Sequence, residues 1–242
     1  MTPKELLARA RRLADGSDAT DGGPGAGPAD AGHRRRILGI AGPPGAGKST
    51  LAEHVVEALG PERAVLVPMD GFHLADVALR RLGRLDWKGA PDTFDAHGYA
   101  ALLRRLREPR TGETVYAPGF DRELEQPLAG SIPVPPEVPL VVTEGNYLLL
   151  DDAPWRPVRA LLDESWWVDV DPQLRVRRLI ARHEQYGKAP EEAERWVLRN
   201  DEQNAALVAP GREVADVVVE FAPEDAPLPA GARPQAHGGT HR

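Results

Sequence analysis

Nine residues near the start of the chain have the types and spacing that bind a polyphosphate. The run GPPGAGKST, residues 42–50, satisfies the pattern G-x-x-x-x-G-K-[ST] in full. An apolar run precedes it and apolar residues at helical spacing follow it, as a buried strand and an amphipathic helix would. Glycines let the backbone turn tightly, so that successive N–H groups and a helix N-terminus face the phosphates. The predicted phosphate-binding residues are Gly42, Gly45, Ala46, Gly47, Lys48, Ser49 and Thr50.

Two side chains of this loop carry the predicted chemistry. Lys48 is expected to contact the β- and γ-phosphates, and the Ser49 hydroxyl is expected to hold Mg²⁺. The alternative is a glycine-rich turn that happens to be followed by Lys and Ser, and the flanking strand and helix argue against it. We therefore expect ATP and Mg²⁺ as the cofactors.

Acidic residues follow two of the predicted strands. In an open α/β sheet, ligands bind beyond the carboxyl ends of the strands, where Asp70 and Glu144 are expected to lie. A small-molecule kinase needs one carboxylate to take the proton of the acceptor hydroxyl and an acidic group near Mg²⁺. We assign Asp70 to the first role and Glu144 to the second, although the spacing also permits the reverse. The structural alternatives are an Asp-Gly turn at Asp70 and a cap at Glu144.

Three arginines share one face of a predicted helix at residues 172–186. Arg175, Arg178 and Arg182 stand at i, i+3 and i+7, which places them within roughly 60° of one another around the axis. Arginine keeps its charge and its donor fork matches phosphate oxygens, so this row can close over a nucleotide as a lid. We give Arg178 a catalytic role. A row of arginines is otherwise typical of a solvated helix face.

The elements that must position these residues follow from the apolar pattern. Residues 34–221 alternate apolar runs with helical patterns, which predicts a doubly wound α/β domain with a mostly parallel sheet. Residues 1–33 are expected to form a short basic helix, 2–13, and a flexible linker, and residues 222–242 a disordered tail. The Pro- and Gly-rich residues 112–139 are expected to be an irregular excursion over a site. The predicted strands are 37–41, 64–68, 139–143, 166–170 and 214–221, and the predicted helices are 49–59, 95–106, 172–186 and 190–208.

The composition of the chain indicates which kinds of binding partner to expect. The 242 residues include 37 acidic and 30 basic side chains, so no positive surface for nucleic acid is expected. The absence of cysteine excludes disulfides and thiolate metal sites. No apolar run approaches the roughly twenty residues of a membrane span, and the N-terminus lacks a signal-peptide core, so we expect a cytoplasmic protein without a membrane partner. The sequence leaves the oligomeric state open and is compatible with a homodimer.

The motifs together resemble the small-molecule branch of P-loop kinases that contains uridine kinase, bacterial-type pantothenate kinase and phosphoribulokinase. The likeness extends from residue 37 to about residue 204. The Asp of MDGFH, Asp70, matches the catalytic base of those families. TEGNYLL, which contains Glu144, is similar to their Glu-Gly segment, and the arginine row aligns with their lid helix. The resemblance implies γ-phosphoryl transfer from ATP to a hydroxyl of a small metabolite.

The same resemblance implies an acceptor pocket. KGAPDTFD is similar to the segment that shapes this pocket, and VYAPGFDR to the strand with Tyr and a following Arg in uridine kinase. The expected acceptor is a nucleoside or related riboside, then pantothenate or a sugar derivative. The alternative is a regulatory NTPase that acts as a nucleotide-driven switch on a protein partner. The acceptor-site candidates are Asp70, His73, Asp92, Asp95, Tyr116, Arg122 and Glu144.

Overall fold

The computed structural model describes residues 1–16 and 34–220. The strands in these ranges are Arg36–Ala41 (β1), Ala64–Leu66 (β2), Val115–Asp121 (β3), Gln126–Val134 (β4), Leu140–Gly145 (β5), Glu164–Asp169 (β6) and Val217–Glu220 (β7). The α-helices are Pro3–Asp15 (α1), Lys48–Leu59 (α2), Asp76–Leu82 (α3), Ala96–Arg107 (α4), Arg156–Arg159 (α5), Pro172–Gln185 (α6), Pro190–Trp196 (α7), Glu202–Val208 (α8) and Gly211–Val214 (α9). The predicted linker, apart from its first residues, and the predicted C-terminal tail lie outside the described residues.

A parallel sheet in the order β2-β5-β1-β6-β7 forms the centre of the molecule. Side chains alternate between its faces along each strand. Leu38 and Ile40 of β1 face a core shared with α1 and α2, whereas Ile37 and Ala41 face a core shared with α4. Helices therefore cover both faces, and the predicted α/β fold with a mostly parallel sheet is confirmed.

The N-terminal helix α1 is part of this packing. It begins at a capping box in which Thr2 and Glu5 each satisfy the other's backbone N–H. Leu6, Ala10 and Leu13 lie one or two turns apart and are buried in the core on the α2 side of the sheet. The helix agrees with the predicted residues 2–13.

The segment 112–139 was predicted to be irregular, and this prediction is wrong. β3 and β4 pair as an antiparallel hairpin outside the main sheet, with an irregular register between Ala117 and Gly119. Prolines are tolerated in a sheet where no partner strand needs their missing N–H, as in a two-stranded ribbon with free edges. Val115, Ala117 and Val134 provide the buried side of the hairpin.

The predicted long helix at 190–208 is divided in the structure. A π-helical turn, Val197–Asp201, separates α7 from α8. Such turns insert an extra residue and change which side chains face inward. Here Asn200 and Asn204 are both buried. In the described parts of the chain, no helix combines the length and apolar character that crossing a bilayer requires.

Candidate active site

The carboxyl ends of β2, β5 and β1 meet at one edge of the sheet. β1 leads into the glycine loop before α2, β2 leads into the turn Met69–Phe72, and β5 ends at Glu144 and Gly145. Because β5 lies between the other two strands, Asp70, Glu144 and Lys48 converge on one cavity. The cavity has a volume of about 400 Å³, which is in the range of small-ligand sites.

The glycine loop has the geometry of a phosphate cradle. Gly45 and Gly47 adopt φ values of 78° and 96°, which residues with a Cβ rarely reach. Lys48 donates from Nζ to the Pro43 carbonyl at 3.0 Å and to Asn146 Oδ1 at 2.8 Å. Burial lowers the pKa of Lys48 to about 8, although the nearby Glu144 opposes the shift. The two hydrogen bonds thus hold Lys48 at the cavity, where it binds its proton less tightly than an exposed lysine does.

Ser49 and Glu144 form a pair of oxygen donors beside this lysine. The Ser49 hydroxyl donates to Glu144 Oε1 at 3.0 Å. Burial raises the pKa of Glu144, and the charge of Asp70 raises it further. A hydroxyl and a carboxylate are the donor types that Mg²⁺ takes from proteins when phosphates supply further ligands, so these residues fit the ion.

Asp70 lies at the cavity next to Arg122 and His73. Arg122 donates from Nη2 to Asp70 Oδ2 at 2.6 Å, and His73 Nδ1 donates to the Asp70 carbonyl at 2.8 Å. Burial alone would raise the pKa of Asp70, but His73, Arg122 and Lys48 together hold it below its usual value. Asp70 is therefore ionised at neutral pH, as a proton acceptor must be.

The hairpin approaches Asp70 closely through Gly71. A Cβ on Gly71 would lie 2.3 Å from the Pro118 carbonyl oxygen of β3, so no larger residue fits there without a backbone shift. This contact brings β3 against the turn that carries Asp70. The hairpin, which the composition of residues 112–139 did not predict, thus brings Arg122 to Asp70.

Aromatic rings form a wall of the cavity next to Asp70. The His73 ring lies 4.0 Å from Phe94 and 4.7 Å from Phe120, measured between ring centroids. Lys88 and Arg122 both lie over Phe120, at 5.8 Å and 5.1 Å from its centroid. Burial lowers the pKa of His73, which favours its neutral form. This wall combines apolar ring surface with cations at its edge.

The three arginines that were predicted to share one face of α6 lie in different surroundings. Arg175 is buried, pairs with Glu202 and donates to the Pro44 carbonyl of the glycine loop at 3.3 Å. Arg182, two turns later, lines the cavity, and Arg178 is half-buried outside the lining. A Cβ on Gly45 would lie 2.7 Å from Leu179, so α6 packs directly on the loop. α6 therefore lies over the glycine loop in the position expected of a lid, and its second half carries Arg182 to the cavity.

Three predicted acceptor residues lie outside the cavity lining. Asp92 pairs with Arg84 at 2.7 Å, and Asp95 caps α4 by accepting from the Gly98 N–H at 2.8 Å. Tyr116 is 61% exposed on β3. Asp70, His73, Arg122 and Glu144 do line the cavity. The structure thus brings four of the seven predicted acceptor residues together.

Several polar residues that were not among the predicted site residues also line the cavity. Asn146 holds Lys48, and Lys88 pairs with Asp76 at 2.7 Å at the cavity wall. Asn204 donates to the Gly89 carbonyl at 3.2 Å, which also accepts from the Tyr147 hydroxyl at 2.5 Å. Asn146 and Lys88 lie in the segments TEGNYLL and KGAPDTFD to which the resemblance pointed, and only the fold shows which polar residues of those segments face the cavity.

Comparison with known proteins shows which family of proteins this chain is similar to. The model of the Phosphoribulokinase / Uridine kinase family matches residues 37–226. A Schizosaccharomyces pombe protein named "Putative uridine kinase" is 35% identical over 202 residues, which cover 78% of this chain and 84% of that protein. The uridine kinase of Halalkalibacterium halodurans is 26% identical over 191 residues, which cover 78% of this chain and 87% of that enzyme.

A solved structure shares both sequence and fold. The crystal structure named "putative fructose transport system kinase" from Silicibacter sp. TM1040 has a TM-score of 0.75 and 33% identity. The alignment covers 90% of this chain and 99% of that one. YFH7 from Saccharomyces cerevisiae has a TM-score of 0.72 at 17% identity over 91% of this chain and 99% of that one, which shows a shared fold.

Proposed function

Since the chain belongs to the phosphoribulokinase / uridine kinase family, and is thus an ATP-dependent kinase that phosphorylates a hydroxyl of a small molecule, we propose that its acceptor is a nucleoside or a related riboside. Pantothenate and sugar derivatives are the next candidates. The observation that carries the proposal is that one cavity is lined by Lys48, by Asp70 and by a wall of aromatic rings. One end suits a triphosphate and the other a ring with hydroxyls.

Each residue has a role that its surroundings support. Lys48 and the loop N–H groups bind the phosphates, and Asp70 orients the acceptor hydroxyl and takes its proton. Arg182 neutralises charge on the transferring group from the lid side and helps to exclude water. Phe94, Phe120 and His73 provide the surface against which the acceptor ring packs. In this scheme catalysis is mostly positioning and charge neutralisation.

Mg²⁺ belongs to the same proposal. Ser49 and Glu144 would hold the ion, which would neutralise part of the charge on the phosphates when bound. Among the described residues, no cluster of three or more His, Cys, Asp or Glu could hold a metal by itself. This agrees with an ion that takes some of its ligands from the nucleotide. A cytoplasmic location and a homodimer stay predictions.

The test is a panel of acceptors in an ADP-release assay. Ribosides, pantothenate, sugars and hydroxy acids are each added to the enzyme with ATP and Mg²⁺, and products are identified by mass spectrometry. We expect ADP release that depends on the acceptor, with the highest kcat/KM for a riboside. Asp70→Asn serves as the control for adventitious kinases, because it should lose the activity.

Two outcomes would contradict the proposal. A panel in which only non-ribosides are phosphorylated would reassign the acceptor. ADP release that no acceptor stimulates, but that a protein partner does, would favour the regulatory NTPase instead.

A further inference from the structure

The turn between β3 and β4 contains a residue in a conformation that its type disfavours. Glu125 has a φ of 52°, in the left-handed region. Within residues 1–16 and 34–220, all other residues with positive φ are glycines. A side chain with a Cβ is strained there, whereas glycine adopts this backbone without penalty. Glu125 thus lowers stability relative to a glycine at the same place.

The backbone of Glu125 does not explain the choice of residue. Its carbonyl oxygen accepts from Lys88 Nζ, which also binds Asp76. This contact ties the turn between β3 and β4 to the segment that contains Lys88. A glycine would present the same carbonyl in the same conformation, so the reason for glutamate lies in its side chain.

Glu125 is an exposed residue of the cavity lining. Glu125 lines the cavity together with Arg122 and Asp70. Arg122 is bound to Asp70 at 2.6 Å, and the negative charges of Asp70, Glu144 and Glu125 all raise its pKa. Three carboxylates thus act on one guanidinium, and those of Asp70 and Glu144 also act on Lys48 of the glycine loop.

Strain at a cavity residue points to a functional side chain. We propose that Glu125 determines acceptor specificity by accepting hydrogen bonds from hydroxyls that are not phosphorylated, so that the enzyme prefers polyhydroxy acceptors. One carboxylate can accept from two neighbouring hydroxyls, such as the 2′ and 3′ hydroxyls of a riboside. Asp70 meanwhile takes the proton of the reacting hydroxyl. This inference rests on the proposed function.

The test compares Glu125→Gly and Glu125→Gln with the wild type. Uridine and 2′,3′-dideoxyuridine are the probes, because they differ only in the two ribose hydroxyls. We expect Glu125→Gly to raise the melting temperature by about 2 °C, because it removes the strain. The same variant should raise the KM for uridine about 10- to 100-fold and leave the KM for dideoxyuridine within about twofold. The KM for ATP should not change.

Glu125→Gln separates charge from backbone strain. It keeps the Cβ, so its melting temperature should match the wild type, while the KM for uridine should still rise. Glu123→Gln is the matched control, because Glu123 is exposed in the same turn and does not line the cavity. It should change neither the KM nor the melting temperature.

A higher melting temperature for Glu125→Gly with an unchanged KM for uridine would overturn the inference and leave Glu125 as a tolerated turn residue. An equal rise in KM for both probes would overturn it too, because the ribose hydroxyls would not be the group bound. A wild type that phosphorylates no riboside contradicts the proposed acceptor instead. Glu125 is then tested with D-fructose, and an unchanged KM, or no phosphorylation of D-fructose by the wild type, overturns the inference.

Discussion

Burial and neighbouring charges together determine the protonation of the ionisable side chains at the cavity. Burial favours the neutral form of Lys48 and Glu144, and the pKa of each moves accordingly. Asp70 is only partly buried, and the Arg122 guanidinium beside it helps to hold its pKa below the usual value. The free enzyme therefore has an ionised Asp70 at the cavity, whereas bound phosphates would stabilise the positive charge of Lys48.

ATP binding should weaken as the pH passes through about 8. Below this value Lys48 is protonated, because its pKa is lowered to about 8, and above it the lysine must first take up a proton to bind phosphate. We expect the Kd for ATP to rise up to about tenfold per pH unit between pH 8 and 9. Calorimetric titration measures this. Lys48→Met should bind ATP weakly at every pH, and a wild-type Kd that is flat up to pH 9 would contradict the lowered pKa.

Removal of Arg122 should shift the acid limb of the pH profile. Without the guanidinium, burial of Asp70 is less compensated and its pKa rises. The base is active only when deprotonated, so the acid limb of kcat/KM for Arg122→Ala should move to higher pH. Arg122→Lys retains the charge and should move it less. An acid limb at the same pH in the wild type, Arg122→Ala and Arg122→Lys would contradict a role for Arg122 in lowering the pKa of Asp70.

At the scale of elements, α6 and the hairpin region each bring an arginine to the cavity, Arg182 and Arg122. α6 is anchored at its first half, where Leu179 and Arg175 pack on the glycine loop, and its second half carries Arg182 to the cavity. The hairpin packs on Gly71 and brings Arg122 to Asp70. Neither element belongs to the main sheet, although Val115, Ala117 and Val134 of the hairpin pack into the core on its α4 side.

Arg182→Ala should lower the maximal rate more than it weakens ATP binding. The arginine is aimed at the cavity from the lid, and its contact strengthens as charge is redistributed in the transition state. We expect kcat to fall about 10²-fold, with a change in Kd for ATP of less than about fivefold. Arg177→Ala, on an exposed position of the same helix, is the control and should have normal kinetics. Equal kinetics for both variants would make the row a solvated helix face.

At the scale of the whole molecule, the sequence predicts the sheet and the phosphate site better than the acceptor site. Parallel strands read as continuous apolar runs, and the glycine loop has a fixed spacing, so both are local signals. The hairpin was missed because prolines and glycines interrupt its alternation, although its edges tolerate them. Asp92 and Asp95 follow from resemblance alone, and the fold uses them for an ion pair and a helix cap.

The central claim is that Asp70 takes the proton of an acceptor hydroxyl while the glycine loop holds ATP. The measurement that tests it most directly is acceptor-dependent turnover by Asp70→Asn, together with the affinity of that variant for ATP. Asparagine keeps the size but cannot accept the proton, so kcat should fall about 10²- to 10⁴-fold while the Kd for ATP changes little. A collapse of ATP binding with a normal rate at saturation would contradict the claim, and would make Asp70 a metal-site residue and Glu144 the base.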